Sequence, residues 1–393
     1  MLPPCARVVS LSRPLARTFL AALLGASLIA LKPPPPRAIA TEPRIHHRGD
    51  VERSGSYNFP PIRTLPRVKW TKDQGRLFMG TPLATKGKLY SGGSDGTLYV
   101  LDARDGTPIW AAPGFEAMEN AVVIAGDLVI AGGQNGKVRA LDRRGGKAVW
   151  FFDAGAPVYT APLIVGDIVY IATYGGVDAL DLYSGQAKWK ATIGSAATFV
   201  SFPAFHGGAV FVSVGTTLYS FDAITGERRW RVESPKQFWS LALGDDKVYV
   251  GNADGNLIAY AQSDGKEVWR FKSAYPTQDE IWSAPAVDAG VVYIGSRDQS
   301  MYAVDATTGA KRWEFKTTGE SVGDPVVSAG VVYFSDSNHA LPMGPRRLYA
   351  VAAVTGQELW HYETRSSLLT TPTLGTGVIY ETITGQVMAL TAR

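Results

Sequence analysis

Eight tryptophans recur along the 393-residue chain, at Trp70, Trp110, Trp150, Trp189, Trp230, Trp269, Trp313 and Trp360, with intervals of 40, 40, 39, 41, 39, 44 and 47 residues. A repeat of this length, with no stretch that reads as a helix, belongs to propeller blades of four strands. From Ser283 one unit reads SAPAVDAGVVYIGSRDQSMYAVDATTGAKRW. Four short strands are legible in it, SAPAV, VVYIG, SMYAVD and AKRWEF, parted by Gly, Asp, Ser and Thr turns.

The third turn of the unit has the strictest spacing. Asp102/Gly106/Trp110, Asp142/Gly146/Trp150, Asp181/Gly185/Trp189, Asp222/Gly226/Trp230 and Asp305/Gly309/Trp313 share it, while Ala261/Gly265/Trp269 and Ala352/Gly356/Trp360 keep Gly and Trp without the acid. A short acceptor side chain can bond the turn's own backbone, and the Gly supplies a positive φ. Each Trp is expected on the outer strand, packed on the next blade with its indole N–H on a backbone acceptor. Trp70 follows Leu65-Pro66-Arg67-Val68-Lys69 with no such turn, and the C-terminus supplies TPTL, VIYET and QVMALT without a fourth strand. The two ends complete each other. The sequence therefore predicts an all-β, eight-bladed propeller over residues 64–393, closed by pairing an N-terminal strand with the C-terminal blade.

Tyr302 to Trp313, YAVDATTGAKRW, resembles the pyrroloquinoline-quinone-type (PQQ-type) propeller repeat, and the preface HRGDVERSG from His47 is similar to a stretch that often precedes such propellers. The repeat's namesakes are quinoprotein dehydrogenases. That resemblance implies PQQ and Ca²⁺ in a central funnel, with a cysteine pair beside the quinone, carboxylates and amides on the metal and a catalytic Asp on long insertions. Here the single cysteine is Cys5 and the blades are near minimal length outside blade seven. In size and form the chain is instead similar to BamB-type proteins, noncatalytic eight-bladed scaffolds of outer-membrane β-barrel assembly.

The formal net charge of +4 misdescribes the propeller, because residues 1–40 hold Arg7, Arg13, Arg17, Lys32 and Arg37 and no acid. The remainder balances at −1, with no basic block or basic–aromatic stripe, so nucleic acid is excluded as a partner. Residues 1–40 read as a signal peptide or N-terminal anchor: basic residues, an apolar run from Phe19 to Leu31, then Ala38-Ile39-Ala40. Thirteen apolar residues fall short of the ~20 that span a bilayer. Residues 41–63 read as a preface or linker. Export to the periplasm or outside the cell follows, with no membrane span after residue 40 and a monomer expected. Cys5 precedes the apolar run, which leaves the mature domain without a disulfide and without a lipid-anchor cysteine in the usual place.

Catalytic constellations are not legible. His46, His47, His206, His339 and His361 lack metal-site spacing and read as solvated loop or rim residues. No Gly-x-Ser-x-Gly elbow occurs, and Asp245-Asp246 and Asp279-Glu280 read as turn carboxylates. Arg48-Gly49-Asp50 spells an adhesion-type tripeptide that three residues give by chance. What remains is a surface. The column just before the Ser or Thr that opens each first strand is Met79, Met118, Tyr159, Val200, Trp239, Trp282, Val322 and Leu369, apolar or aromatic throughout. It should ring one mouth of the channel beside Phe78, Phe238, Glu116, Glu119, Asp279 and Glu280, as anchors for a partner or ligand, unless it merely fills space between blades. Met79, Met118, Tyr159, Trp239, Trp282 and Leu369 are its candidate contacts. Blade seven carries an insertion, SDSNHALPMGPRRLY, where His339, Met343, Arg346 and Arg347 form a candidate contact loop.

The reading is a noncatalytic exported propeller that binds a protein or peptide partner, in outer-membrane protein assembly, with no cofactor expected. The alternatives are a PQQ- and Ca²⁺-dependent oxidoreductase and a small-ligand-binding or sensor propeller.

Overall fold

The computed structural model describes residues 44–73, 80–118, 122–194, 197, 199–273, 280–319, 321–337, 346–364, 371–383 and 385–392. The chain divides into two compact units, Met1–Ala40 and Thr41–Arg393, and the propeller is the second. Among the described residues every regular element is a strand, and no helix is long and apolar enough to cross a membrane.

Eight antiparallel sheets follow one another. Blade six is typical, with strands Ala286–Asp288, Val291–Gly295, Ser300–Asp305 and Lys311–Lys316 hydrogen-bonded in that order. Its second strand, VVYIG, is buried on both faces, as suits a β-branched run between two neighbouring blades. Its fourth strand alternates at the rim, where only Trp313 is fully buried. Blade eight is the composite one. Arg67–Asp73 pairs with Gln386–Thr391, which continues through Val378–Ile383 to Thr373–Gly375. The ring is closed by two chain ends hydrogen-bonded within one sheet.

The blade tryptophans join each sheet to the next. Their indole N–H groups donate to Ala103, Arg143, Leu182, Ala223, Gln262, Ala306, Ala353 and Ile62 carbonyls, from Trp70 to Trp360 in order, at 2.8–3.2 Å. Seven acceptors lie in the next blade's third turn; the eighth, Ile62, lies just ahead of the strand that completes blade eight. Each Trp follows a register shift between the third and fourth strands, a bulge that re-aims the ring toward the adjacent sheet.

The turn glycines receive those rings. Gly106, Gly146, Gly185, Gly226, Gly265, Gly309 and Gly356 all take a positive φ, +70° to +75°, and lie in turn against Trp70, Trp110, Trp150, Trp189, Trp230, Trp269 and Trp313 of the preceding blade. An added Cβ would stand 2.6–3.0 Å from ring atoms at each of the seven, so both the backbone conformation and the ring demand glycine. Asp305 organises the turn of Gly309: its Oδ1 accepts the Thr307 and Thr308 amides at 3.0 and 2.8 Å, and Arg312 holds the carboxyl well below its usual range. Where Ala261 or Ala352 replaces the acid, the amide of Gly265 or Gly356 still donates to that alanine's carbonyl, at 2.9 or 2.8 Å. The acid therefore reinforces a turn that the backbone already closes.

Candidate functional site

The preface is part of the propeller and not a linker. Residues 44–62 run around the inside of the ring, visiting blades two to seven in order. One residue of each of these six first strands finds an acceptor there. Ile124 N–H donates to Ile45 O (3.1 Å), Ile164 to His46 Nε2 (3.3 Å), Phe205 to Val51 O (2.8 Å), Leu243 to Glu52 O (2.9 Å), Val287 to Ser54 O (2.7 Å) and Val327 to Gly55 O (2.9 Å). Ser56–Tyr57 then pairs in parallel with Val326–Ser328. Innermost strands present one unpaired edge to the channel, and the preface satisfies it across six consecutive blades.

Two arginines fix this segment. Arg53 donates through Nε to Pro203 O (3.0 Å) and through its terminal nitrogens to His47 O (2.8 Å), Ala161 O (3.2 Å) and Pro162 O (2.9 Å). Arg48 donates to the carbonyls of Ala284 (3.3 Å), Pro285 and Pro325 (3.2 Å) and lies 3.4 Å from Asp324. Pro162, Pro203, Pro285 and Pro325 bring no N–H to the first-strand starts of blades three, four, six and seven, so these positions present carbonyls that a guanidinium can gather. Both side chains are fully buried, and burial pulls Arg53 down to about 9, which leaves it charged at neutral pH. Asp324 is itself held by the Ala284 amide (2.8 Å) and the Thr371 hydroxyl (3.0 Å).

His46 and His47 are not solvated, as their adjacency in a polar stretch suggested; each is 3% exposed. Burial first and Arg53 second lower His46 to about 3, and the same causes, with Arg48, hold His47 well below its ordinary value. His206 is part-buried, its Nδ1 2.6 Å from Glu52. His361 lies at the rim, beside Glu358 at 2.7 Å.

The first strands begin beside the carbonyls that Arg48 and Arg53 gather. Ser283 Oγ donates to Gly295 O (3.0 Å) and accepts its N–H (2.9 Å), while Ser201 Oγ accepts the Ser213 N–H (2.9 Å). These hydroxyls tie the start of the first strand to the second in blades six and four. Of the column before the first strands, Tyr159, Trp239 and Trp282 are half-buried. Tyr159 lies 5.3 Å from Tyr174, Trp239 meets Phe199 edge-on at 5.0 Å, and the Arg297 guanidinium covers Trp282 at 5.1 Å while pairing with Glu280 at 2.8 Å. Trp239 Nε1 is covered and has no hydrogen-bond partner. Such unmet donors cost stability and concentrate where function keeps them.

The aliphatic members behave differently. Met118, Val200 and Val322 are at most 4% exposed and belong to the cores between blades, so Met118 offers no surface to a partner. Phe238 is likewise buried and Glu116 exposed. Met79, Leu369, Phe78, Glu119 and Asp279 lie outside the described residues, as do His339 and Met343 of the blade-seven loop. Arg346 and Arg347 are not at a hairpin tip; they open the third strand, Arg346–Ala352, with Arg346 buried and Arg347 paired with Glu363 at 2.9 Å. The physical reason is the strand's own ladder, which Arg346 and Arg347 enter opposite Thr364 and Glu363. The turn glycines Gly106, Gly146, Gly185, Gly226, Gly265, Gly309 and Gly356 contribute nothing to a binding site, because a tryptophan ring already fills the space over each. Their part is to let adjacent blades approach.

Calcium and a quinone require convergent carboxylate and amide donors. Among the described residues no set of three His, Cys, Asp or Glu side chains can hold a metal ion. Arg53 directs its hydrogens at backbone carbonyls, whereas Arg48 bonds carbonyls through one terminal nitrogen only and leaves its Nε and other terminal nitrogen buried without a hydrogen-bond partner.

Comparison with known proteins agrees on the architecture. The family model of the outer membrane protein assembly factor BamB matches residues 63–271 and 261–393. Quinohemoprotein alcohol dehydrogenase ADH IIB of Pseudomonas putida is 31% identical over 130 residues, 30% of this chain and 19% of that protein. BamB of Nitrosomonas eutropha is 26% identical over 106 residues, 26% of this chain and 25% of that protein. The chain thus matches a quarter or less of each relative's length. The solved structure of BamB from Moraxella catarrhalis superposes with a TM-score of 0.67 at 19% identity, covering 84% of this chain and 98% of that one. Quinohemoprotein alcohol dehydrogenase from Comamonas testosteroni gives 0.72 at 14% identity, covering 87% and 79%. At such identities the structures speak for the fold alone. With the family model matched along the whole propeller, the chain belongs to the family of the outer membrane protein assembly factor BamB.

Proposed function

We propose that this chain is an exported, noncatalytic scaffold that binds a protein or peptide partner in outer-membrane protein assembly. The observation that carries the reading is the family match over residues 63–393. The channel supports it: a segment of the chain itself satisfies the first-strand amides of six blades. The apolar run before residue 32 supports export. Tyr159, Trp239 and Trp282 give the partner site, as half-buried aromatics at one channel mouth, a composition found at binding hot spots.

Deleting the gene in its source organism tests the role. The reading expects lower levels of outer-membrane β-barrel proteins, restored by the wild-type gene; unchanged levels contradict it. For the site, Trp239→Ala with Trp282→Ala should abolish partner capture while the melting temperature holds. Intact capture with lowered stability would make these residues core and not contact. A second reading, PQQ-dependent oxidoreduction, draws on the 31% identity to a quinohemoprotein over 130 residues. It requires calcium-dependent quinone binding.

A further inference from the structure

Among the described residues nine large apolar side chains are exposed, and five of them lie on three neighbouring blades: Leu65 and Val68 in blade eight, Ile109 in blade one, Val149 and Phe151 in blade two, at 40–74% exposure. The other four, Tyr183, Ile224, Val268 and Val354, are spread singly over blades three, four, five and seven. Blade one's outermost strand, Pro108–Ala112, is the one outermost strand of the eight without a charged or histidine side chain. Blades eight and two flank it with cations. Arg67, Lys69 and Lys147 are exposed and form no ion pair among the described residues; Lys69 acts on Asp102 at longer range only. In blades three to six the cations of these strands are mostly paired, as Lys188 with Asp181 (3.2 Å), Arg231 with Glu233 (3.0 Å), Arg270 with Glu267 (2.7 Å) and Arg312 with Asp305 (2.7 Å). The carboxylates of the apolar sector are engaged: Asp102 with Arg104 (2.6 Å), Asp153 with Lys137, and Asp73 with Gln386 (3.3 Å), while Asp105 and Asp142 accept amides of their own turns.

We propose that the outer wall of blades eight, one and two is a peripheral binding surface for a bilayer that carries anionic lipid. Exposed apolar side chains interspersed with free cations are the composition of an interfacial surface, in which the apolar groups enter the headgroup boundary and the cations meet lipid phosphates. The order of the blades fits this occupant. A flat bilayer laid against a convex ring reaches the middle blade deepest, and here the middle strand is the uncharged one, with Arg67 and Lys69 on one side and Lys147 on the other. The strands also limit the depth. Their outer N–H and C=O groups are unpaired at the sheet edge and must stay hydrated, so contact is at the headgroup level and involves no span. A protein strand is the poorer occupant, because a free edge is common to all eight blades and selects none of them. The proposal goes beyond the scaffold reading and does not depend on it.

The test uses the purified full chain with Cys5→Ser and an environment-sensitive nitrobenzoxadiazole label on one new cysteine, Phe151→Cys or, on blade five across the ring, Val268→Cys. Vesicles are of phosphatidylcholine, alone or with phosphatidylglycerol. The label of Phe151→Cys should shift to the blue on vesicles that contain phosphatidylglycerol and that of Val268→Cys should not. Adding Arg67→Gln with Lys69→Gln, or Ile109→Ser with Val149→Ser, should raise the lipid concentration at half-maximal shift about tenfold or more. Circular dichroism should be unchanged, since the replaced side chains are exposed. No shift at Phe151→Cys overturns the proposal, even where the chain sediments with vesicles, because the apolar run of residues 19–31 then carries the attachment. Equal shifts at the two labels, or a half-point unmoved by the added substitutions, would overturn it too. A shift with soluble polyglutamate and none with vesicles would make an acidic protein segment the occupant. Because the readout is lipid contact, its failure leaves the gene-deletion test of the scaffold role intact.

Discussion

Gly309 and Gly377 share a positive φ, +75° and +68°, but only Gly309 faces a tryptophan; nothing lies within 4 Å of a Cβ built on Gly377. Gly377→Ala should cost the left-handed backbone term alone, about 1–2 kcal/mol. Gly309→Ala should cost a further 1–3 kcal/mol or so for displacing Trp269. Urea denaturation of both variants measures the difference, and equal costs would mean the ring yields freely. Two buried titratable groups set opposite pH limits. His46 is lowered to about 3 from 6.5, so the unfolded chain binds the extra proton and stability is present above about 6.5 and lost as pH falls toward 3. The loss is on the order of 4 kcal/mol by pH 3. Thermal melts should show wild type falling between pH 7 and pH 4 and His46→Gln falling less; identical slopes would contradict the burial argument. Glu381 is fully buried, with Ser335 Oγ 3.3 Å from its Oε1, and burial raises its carboxyl well above 4.5. Its contribution is therefore present at low pH and lost as pH rises through the folded value. Glu381→Gln should remove this alkaline loss, leaving a melting temperature flatter from pH 5 to 9 than wild type; a parallel decline would place the loss elsewhere.

Among the elements, the preface separates what the sequence discloses from what it hides. The blade strands are legible because their period, alternation and turn residues repeat, and repetition averages away local ambiguity. Residues 44–62 occur once. Nothing in HRGDVERSG says that Arg48 and Arg53 meet carbonyls of blades three, four, six and seven, since those acceptors are backbone atoms more than a hundred residues away. The one available signal was two arginines in a stretch without repeat character, ahead of first strands that begin with Ala-Pro or a similar pair. The aromatic column was legible in position but mixed in burial: neighbouring blades close over Met118 and Val322, while Tyr159, Trp239 and Trp282 remain half-buried. Arg53→Met should cost about 3 kcal/mol or more by leaving charge-assisted carbonyl bonds unmade, read by chemical denaturation. A chain beginning at residue 63 should lose more still, since six first-strand amides and the Trp360 indole lose their acceptors. Unaltered stability of that shortened chain would make the preface a passenger.

For the whole molecule, closure and function meet in the same segment. The chain threads the ring's interior, supplies Ile62 to Trp360, and then completes blade eight. Removing the preface would therefore disturb both the channel and the seam between the chain ends. A propeller whose channel-facing amides are satisfied by its own backbone is suited to presenting a rigid outer surface. The proposed role leaves the propeller interior to the chain's own peptide and to no quinone. Calorimetric titration of the purified full chain with PQQ, with and without Ca²⁺, tests it most directly. No saturable heat at micromolar protein in either condition is the predicted result; tight binding that appears only with Ca²⁺ would contradict it.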